Sequence, residues 1–484
     1  MPTRYITASI PYVNAVPHIG HALEFVQVDF LLRYYRAQGE NVRGQFGSDD
    51  NSLKNVRAAQ AAGEETEAYV ARHSQVFKEL QELLGLSFDD FIRTREDRHM
   101  RGAQKLWSLM KPEDVYKKSY QGLYCVGCEA FYNEADLVEG LCPVHKKALE
   151  TVTEENYFFR LSSYQKQLEE LVASDKIKVW PENRKNEMLA FIRRGLEDFS
   201  ISRSVERAEH WGVPVPNDPS QVMYVWVDAL SNYINALGFA DDDKAYDTFW
   251  KNADVRTHVL GKDISRFHVI YWPAFLLSAG QPLPTEIFVH GFLTVDGQKM
   301  SKSLGNVIAP ADLVADFGVE AVRYALLREL PLSNDGDIGK ARMEERYAEL
   351  ANNLGNLVGR VAAMANKYFE GAVDDIAFHD ADALTAKLKE AVARYDFRTY
   401  IELVWSVVDA ANHKIDVEAP FKTAKTDLAA CKKTLSELAG MIRFIAEALK
   451  PVIPNAAAEI SKRYTGEKLT HGEPLFPRRD QEKV

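Results

Sequence analysis

Tyr5-Ile-Thr-Ala-Ser-Ile-Pro11-Tyr12-Val-Asn-Ala-Val-Pro17-His18-Ile19-Gly20-His21 decides how the chain begins to fold. The apolar run at residues 5–11 reads as a strand, and residues 22–38 carry apolar side chains at helical spacing until Gly39 stops them. Between the two, a pair of imidazoles and a glycine open the helix. Unpaired backbone N–H groups and the positive end of the helix dipole make that turn a place for a phosphate chain. Residues 41–46 read as a second strand and residues 52–62 as a second helix, ending at Gly63. Strand, helix, strand, helix is the order of a doubly wound parallel sheet, with ligands beyond the carboxyl ends of its strands.

Further along, residues 110–154 break into Gly, Cys and short turns. Alternation resumes through 222–226, 258–260 and 287–289, so an insertion splits one nucleotide-binding sheet. After Asn334-Asp-Gly-Asp337 the chain is almost wholly helical from 341 to 463, with long 3.6-period runs at 347–368 and 399–415. The fold class is therefore α/β: a Rossmann-like doubly wound parallel sheet, split by an insertion with a metal knuckle and followed by an all-α helix bundle. The 484 residues divide into a first half of the sheet domain (1–110), the insertion (111–220), the second half (221–295), a loop region (296–340) and the bundle (341–484).

With 46% hydrophobic and 27% charged residues, the composition is that of an ordinary soluble protein. A net charge of −11 means that an RNA partner must meet a local basic face. No apolar run approaches the ~20 residues of a membrane span, so no membrane partner is expected. Met1-Pro-Thr-Arg-Tyr-Ile runs straight into a strand, which leaves no room for a signal or transit peptide. Of the four cysteines three are clustered, which suits a reducing compartment and metal binding, and a cytoplasmic protein is expected.

The clustered three form Cys125-Val-Gly-Cys128, thirteen residues, then Cys142-Pro-Val-His145. Paired two-residue spacings let two turns offer three thiolates and an imidazole at the corners of a tetrahedron, the pattern of a closed, structural Zn2+ site. The alternative is three buried cysteines and a surface histidine with no metal. Cys431 lies in a helical stretch and reads as packing.

Lys299-Met300-Ser301-Lys302-Ser303 lies between Gly297 and Gly305 and places two ammonium groups on a flexible loop, as a clamp on pyrophosphate requires. Taken in order, the His18–His21 turn and this loop resemble the two signatures of class I aminoacyl-tRNA synthetases. Further segments carry the likeness on: Asn156-Tyr-Phe-Phe-Arg160, Ser200-Ile-Ser-Arg203, Trp211-Gly-Val-Pro-Val-Pro216, Tyr224-Val-Trp226-Val-Asp228, Gly261-Lys-Asp263, Phe267-His268 and Val289-His-Gly291. Together these resemble the methionyl-tRNA synthetase family.

The resemblance implies ATP-dependent activation of L-methionine to methionyl-adenylate and its transfer to the methionine tRNA, the initiator included, with ATP and Mg2+ as substrate. It implies catalytic roles for His18, His21, Lys299 and Lys302, with His18, Gly20, His21 and Lys302 on ATP. Tyr12, Asp50, Trp226, Tyr233, Asp263 and His268 would line the methionine site, Asp50 holding the ammonium group. Asn356, Arg360 and Phe421 would meet the anticodon.

Two segments depart from the family pattern. Asn51-Ser52-Leu53 stands where a His-Gly pair is common, and Phe421 stands where a stacking Trp is found. Residues 109–220 are too few for the large hydrolytic domain of the isoleucine, valine and leucine enzymes, and no appended C-terminal dimerisation module is visible, so a monomer is expected. From spacing alone, Trp226 and Tyr233 are also a core-facing helical stripe and Asn356 and Arg360 a solvated helix face. The runners-up are a class I synthetase for cysteine or another H-x-G-H nucleotidylyl transferase, disfavoured by the place of the knuckle and the Tyr12, Trp226 and His268 set, and a non-catalytic tRNA-binding paralogue, against which intact His18, His21 and Lys302 argue.

Overall fold

Strand β1 (Thr3–Ala8) is buried from Tyr5 to Ala8 on both faces, as the central strand of a parallel sheet must be. Helix α1 (Ile19–Ala37) carries the chain over to β2 (Asn41–Ser48), which lies parallel to β1 with Ile6 opposite Gly44. Strands β3 (Asp90–Arg93), β4 (Lys178–Trp180), β5 (Val255–Gly261) and β6 (Glu286–His290) complete a six-stranded sheet. Its order is β3-β2-β1-β5-β6-β4, every neighbouring pair parallel. The order reverses between β1 and β5, where Thr7 faces His258, and that reversal is where an open α/β sheet has its crevice. The computed structural model describes residues 1–127, 130–132, 134–241, 243–300, 305–466 and 468–477.

The chain forms two compact units. The first comprises Met1–Pro17, Tyr35–Glu82 and Leu86–His290; the second comprises His18–Tyr34, Leu83–Gly85 and the described residues from Gly291 on. Within the first unit, Trp250, Trp272, Phe275 and Tyr233 are among the fully buried side chains of one core. An antiparallel four-stranded sheet joins Ala130–Tyr132, Val115–Cys125, Glu150–Phe159 and Phe199–Ser200, and Ser202–Ser204 belongs to a second, three-stranded sheet.

In the first unit three local readings change. Residues 222–226 are not a strand of the parallel sheet: Asp218–Met223 pairs antiparallel with Ser202–Ser204, and a helix, Val225–Leu230, then begins. A short apolar run does not by its pattern distinguish a strand from a buried helix. Trp226 and Tyr233 lie on separate short helices, Val225–Leu230 and Asn232–Asn235, so their spacing of seven does not measure two turns of one helix. Residues 178–180, inside the stretch read as insertion, pair with β6.

In the second unit, helix α2 (Val319–Glu329) lies inside the stretch read as a loop region, and α3 (Asn356–Phe369), α4 (Phe397–Glu418), α5 (Leu428–Leu449) and α6 (Pro454–Tyr464) follow in the region read as helical. The single helix read at 347–368 is three segments, because a π-helical stretch, Glu349–Gly355, joins Lys340–Ala348 to α3. Asp396 and Asp427 cap α4 and α5 by accepting the N–H groups of Thr399 and Ala430 at 3.0 and 2.9 Å. Phe30 of α1 packs edge-on against Phe397 and Tyr400, with centroids 5.1 and 5.0 Å apart.

The Arg323 guanidinium, 1% exposed, reaches Asp29 of α1 at 2.6 Å. It also donates to the carbonyls of Leu84, Pro451 and Val452 at 3.1, 3.1 and 3.0 Å. Glu320, one turn earlier, accepts the N–H of Ala456 at the start of α6 at 2.8 Å. Breaking a buried, fully bonded ion pair from one side leaves an uncompensated charge. Arg323→Met is expected to lower stability by about 3–5 kcal/mol, measured by urea unfolding followed with far-UV circular dichroism.

Candidate functional site

Beyond the carboxyl ends of β1 and β5 the first unit gathers aromatic rings. Trp226 lies flat on Phe267, centroids 3.7 Å apart and planes 6° apart, and Tyr12 meets it edge-on at 6.5 Å. The buried indole N–H of Trp226 has no hydrogen-bond partner among the described residues. His268 faces the same indole edge-on at 6.3 Å. Its Nδ1 donates to the carbonyl of Ile264 at 3.0 Å, so its Nε2 accepts from the Tyr233 hydroxyl at 2.6 Å. Burial brings the His268 pKa down to about 4, so the ring is neutral at physiological pH.

His258 repeats the arrangement one layer deeper. Trp272 Nε1 donates to its Nε2 at 3.2 Å, so the ring proton sits on Nδ1, 2.7 Å from Thr7 Oγ1. Burial, with His268 nearby, holds this imidazole well below its ordinary value. Tyr233 spends its only hydroxyl proton on His268 and therefore presents lone pairs alone elsewhere. The lining is aromatic and uncharged, which suits a soft, polarizable side chain. Asp263 lies apart from these rings in character: it is exposed on the turn Lys262–Ile264.

Past the end of β2, two acids in succession face different ways, as neighbours on extended backbone do. The Asp50 carboxylate is buried and accepts from Arg93 Nε at 2.8 Å and Ser48 Oγ at 2.7 Å. Burial raises its pKa to about 6 against the pull of Arg93. Asp49, which the sequence reading passed over, forms an isolated parallel bridge with Tyr12, and its N–H donates to Pro11 O at 2.8 Å. Lys54 stands nearby with Nζ 4.2 Å from the centroid of the Tyr12 ring. The available signal was parity: of two adjacent acids at a strand end, only one shares the side of Tyr12.

In the second unit, His18 Nδ1 accepts the N–H of Gly20 at 3.1 Å and His21 Nδ1 accepts the N–H of His18 at 3.2 Å. The rings stack at 3.9 Å with 16° between planes. Since both Nδ1 atoms accept, the ring protons sit on Nε2, and the turn offers two donors side by side. Burial, and then His18, hold the His21 pKa well below the ordinary imidazole value. A Cβ at Gly20 would fall 2.9 Å from His18 Cε1 and force the stack apart.

The loop that follows β6 meets this same turn. Ile19 N–H donates to Ile308 O at 2.9 Å, and a Cβ at Gly20 would stand 3.7 Å from Met300 Cε. Leu293–Val295 and Gln298–Lys299 form a hairpin whose turn is held by Asp337 Oδ1, accepting the Gly297 N–H at 2.8 Å. Lys299 is exposed, with Nζ 5.7 Å from the Phe292 ring centroid. Lys302 lies outside the described residues.

Cys125, Cys142 and His145 bring their donor atoms within 4.8 Å of one another; Cys128 lies outside the described residues. His145 Nδ1 is 3.9 Å from Cys125 Sγ and 3.8 Å from Cys142 Sγ. A tetrahedral zinc with bonds of about 2.3 Å to sulfur and 2.0 Å to nitrogen separates such donors by about 3.6 Å, so this set fits that ion. In the bundle, Asn356 is exposed at the start of α3, and Arg360 Nη2 comes 4.0 Å from Asp416 near the end of α4. Phe421 follows α4 and is 41% exposed, with Val417 and Leu428 also exposed.

A family profile described as tRNA synthetases class I (M) matches residues 4–152 and 144–362. The methionine–tRNA ligase of Caldanaerobacter subterraneus subsp. tengcongensis is 38% identical to this chain, over 99% of it and 80% of the relative. That of Mycobacterium bovis is 41% identical, over 94% of this chain and 91% of the relative. Among solved structures, Mycobacterium tuberculosis methionyl-tRNA synthetase in complex with methionyl-adenylate aligns with a TM-score of 0.93 at 38% identity, covering 99% of this chain and 100% of the other.

The neutral His268 makes a pH prediction. Unfolded, its imidazole takes a proton below about 6.5; folded, it does so only below about 4. Stability therefore declines as the pH falls from 6.5 to 4, this residue contributing about 3 kcal/mol, and is level in this respect above 6.5. In His268→Gln the decline measured by urea unfolding across that window should be shallower; an unchanged slope would show that His268 does not resist protonation.

Proposed function

The chain belongs to the class I tRNA synthetases, in the group that acts on methionine, and on that premise we propose that it activates L-methionine with ATP and charges the methionine tRNA, the initiator included. The observation that carries the reading is the stacked His18–His21 pair, each ring with Nδ1 taken by a backbone N–H, and Met300 beside the turn. A methionine carboxylate oxygen attacks the α-phosphorus of ATP, and the bond to the β-phosphate oxygen breaks. Methionyl-adenylate forms and pyrophosphate leaves; the tRNA then takes the methionyl group and AMP is released. Negative charge gathers on phosphoryl oxygens in the first transition state, where donors fixed in advance need no reorganisation. His18 and His21 act in this way as neutral imidazoles. Lys299 and Lys302 offset the charge of the departing phosphates, and Mg2+ accompanies ATP as part of the substrate.

The rings of Tyr12, Trp226, Tyr233 and His268 receive the thioether, a side chain with no charge to solvate. A carboxylate at the end of β2 holds the ammonium group. Asp50 is the acid the family likeness suggests, but its pairing with Arg93 and the bridge between Asp49 and Tyr12 support Asp49 for that contact. Asp263 follows β5 and completes the proposed amino-acid site. Cys125, Cys128, Cys142 and His145 hold one Zn2+ in a structural role. Asn356, Arg360 and Phe421 read the anticodon, with Phe421 as an exposed stacking face. No helix of the described residues is long and apolar enough to cross a membrane. The protein works as a cytoplasmic monomer in this reading.

Exchange of labelled pyrophosphate into ATP, measured with each of the twenty amino acids and no tRNA, should occur with methionine alone. Exchange driven by a different amino acid would overturn the assignment. Lys302→Ala should slow adenylate formation by about a hundredfold or more while leaving methionine affinity within a few-fold, as a contact made only in the transition state requires. His145→Ala should lower zinc per chain and thermal stability together; full zinc content would remove it from the ligand set.

A further inference from the structure

Each of three elements that present pocket residues sends a polar side chain two positions further along into one buried network. Asn51 follows Asp49, Asp228 follows Trp226, and Asn235 follows Tyr233. Asn51 Nδ2 donates to Asp228 Oδ2 at 2.7 Å, which joins the end of β2 to the helix carrying Trp226. The other carboxylate oxygen, Oδ1, faces His99 Nε2 at 2.5 Å. His99 comes from a fourth element, the helix Asp97–Leu109. Asn235 Nδ2 donates to the carbonyl of His99 at 3.2 Å and to Ser231 Oγ at 2.8 Å, and lies 3.4 Å from His99 Nδ1. A carboxylate can only accept, so the ring carries a proton on Nε2, aimed at Asp228. Ser231 Oγ closes the circuit on the carbonyl of Asp228 at 2.6 Å.

Burial makes this network costly to misplace. His99 and Asn235 are 0% exposed, Asp228 1% and Asn51 5%. Gly102, one turn beyond His99, leaves the space that Asn235 occupies: a Cβ there would come within 2.0 Å of its Oδ1. Both carboxylate oxygens of Asp228 are bonded to groups from other elements, so the helix that carries Trp226 cannot shift without breaking charge-assisted bonds away from water. None of these side chains needs to touch the substrate for the network to govern the distance between the Tyr12–Asp49 wall and the Trp226 and Tyr233 walls.

We propose that His99, Asp228 and Asn51 are positioning residues that hold the walls of the amino-acid pocket in register and so set the affinity for methionine. The inference rests on the methionine-activating function proposed above. A residue acting through the pocket affects methionine binding and leaves the nucleotide alone, whereas general loosening of the fold affects both.

Methionine-dependent pyrophosphate exchange, with KM measured separately for methionine and ATP, tests the idea on the full chain. His99→Leu should raise the methionine KM about tenfold while the ATP KM and kcat stay within about twofold. His99→Gln, whose amide N–H can occupy the place of Nε2–H, should return most of the loss. A parallel rise in both KM values, or a Gln variant as impaired as the Leu variant, would overturn the role. If His99→Leu fails to fold, Asn51→Ala keeps the His99–Asp228 pair and should show the same split between substrates; an unchanged methionine KM there also overturns it. Absence of methionine-dependent exchange in the unaltered chain is a separate result, one that removes the underlying function and the positioning role with it.

Discussion

The buried contact between Arg323 and Asp29 joins parts of the chain that lie far apart in sequence. A guanidinium taken out of water must have every N–H answered, and here the answers come from α1, from Leu84 and from the turn at Pro451–Val452. This contact ties the helix that opens with His18–His21 to α2 and to the turn at Pro451–Val452, all within one unit. Its covalent neighbours β1 and β2 belong to the other unit. The loop bearing Met300 lies against the start of that helix, so the two signatures, far apart in sequence, share a unit for a stated mechanical reason.

Burial acts on the histidines in one consistent direction. His21, His258 and His268 all have pKa values below the ordinary imidazole value, so each meets its surroundings as a neutral ring. Neutrality makes the tautomer matter. At His21 the backbone occupies Nδ1 and leaves Nε2–H to donate, whereas at His268 the carbonyl of Ile264 takes the Nδ1 proton and Nε2 accepts. The same residue type thus supplies a donor in one unit and an acceptor in the other, and what decides is the neighbouring main-chain group.

Much of this was legible beforehand where it depended on local pattern. The first strand, though it ends at Ala8 and not at Pro11, the helices around His21 and after Ser52, and the helical character beyond residue 341 follow from periodicity and end signals. Ser52 and Gly63 stand at the two ends of Leu53–Ala62. What depended on non-local pairing was not legible. Nothing in Lys178-Val-Trp180 announces that it pairs with β6, and the run at 222–226 carries the same apolar signal whether strand or helix. In the candidate site the residue types stood out, but their directions did not. The parity that sends Asp50 to Arg93 and leaves Asp49 beside Tyr12 follows from one residue of register. The links from Asn51 and His99 to Asp228 cross long stretches of sequence and leave no periodic trace.

The pairing of Asp29 with Arg323 also has a meaning in time. A ribosome adds about 5–20 residues per second, so α1 leaves the exit tunnel roughly tens of seconds before its partner is made. Over that interval the Asp29 carboxylate can pair with Arg33 of its own helix, while Arg323, Phe397 and Tyr400 are still to be made. The strands on either side of the helix are made early, whereas the helix gains these partners only once residues 323, 397 and 400 have followed.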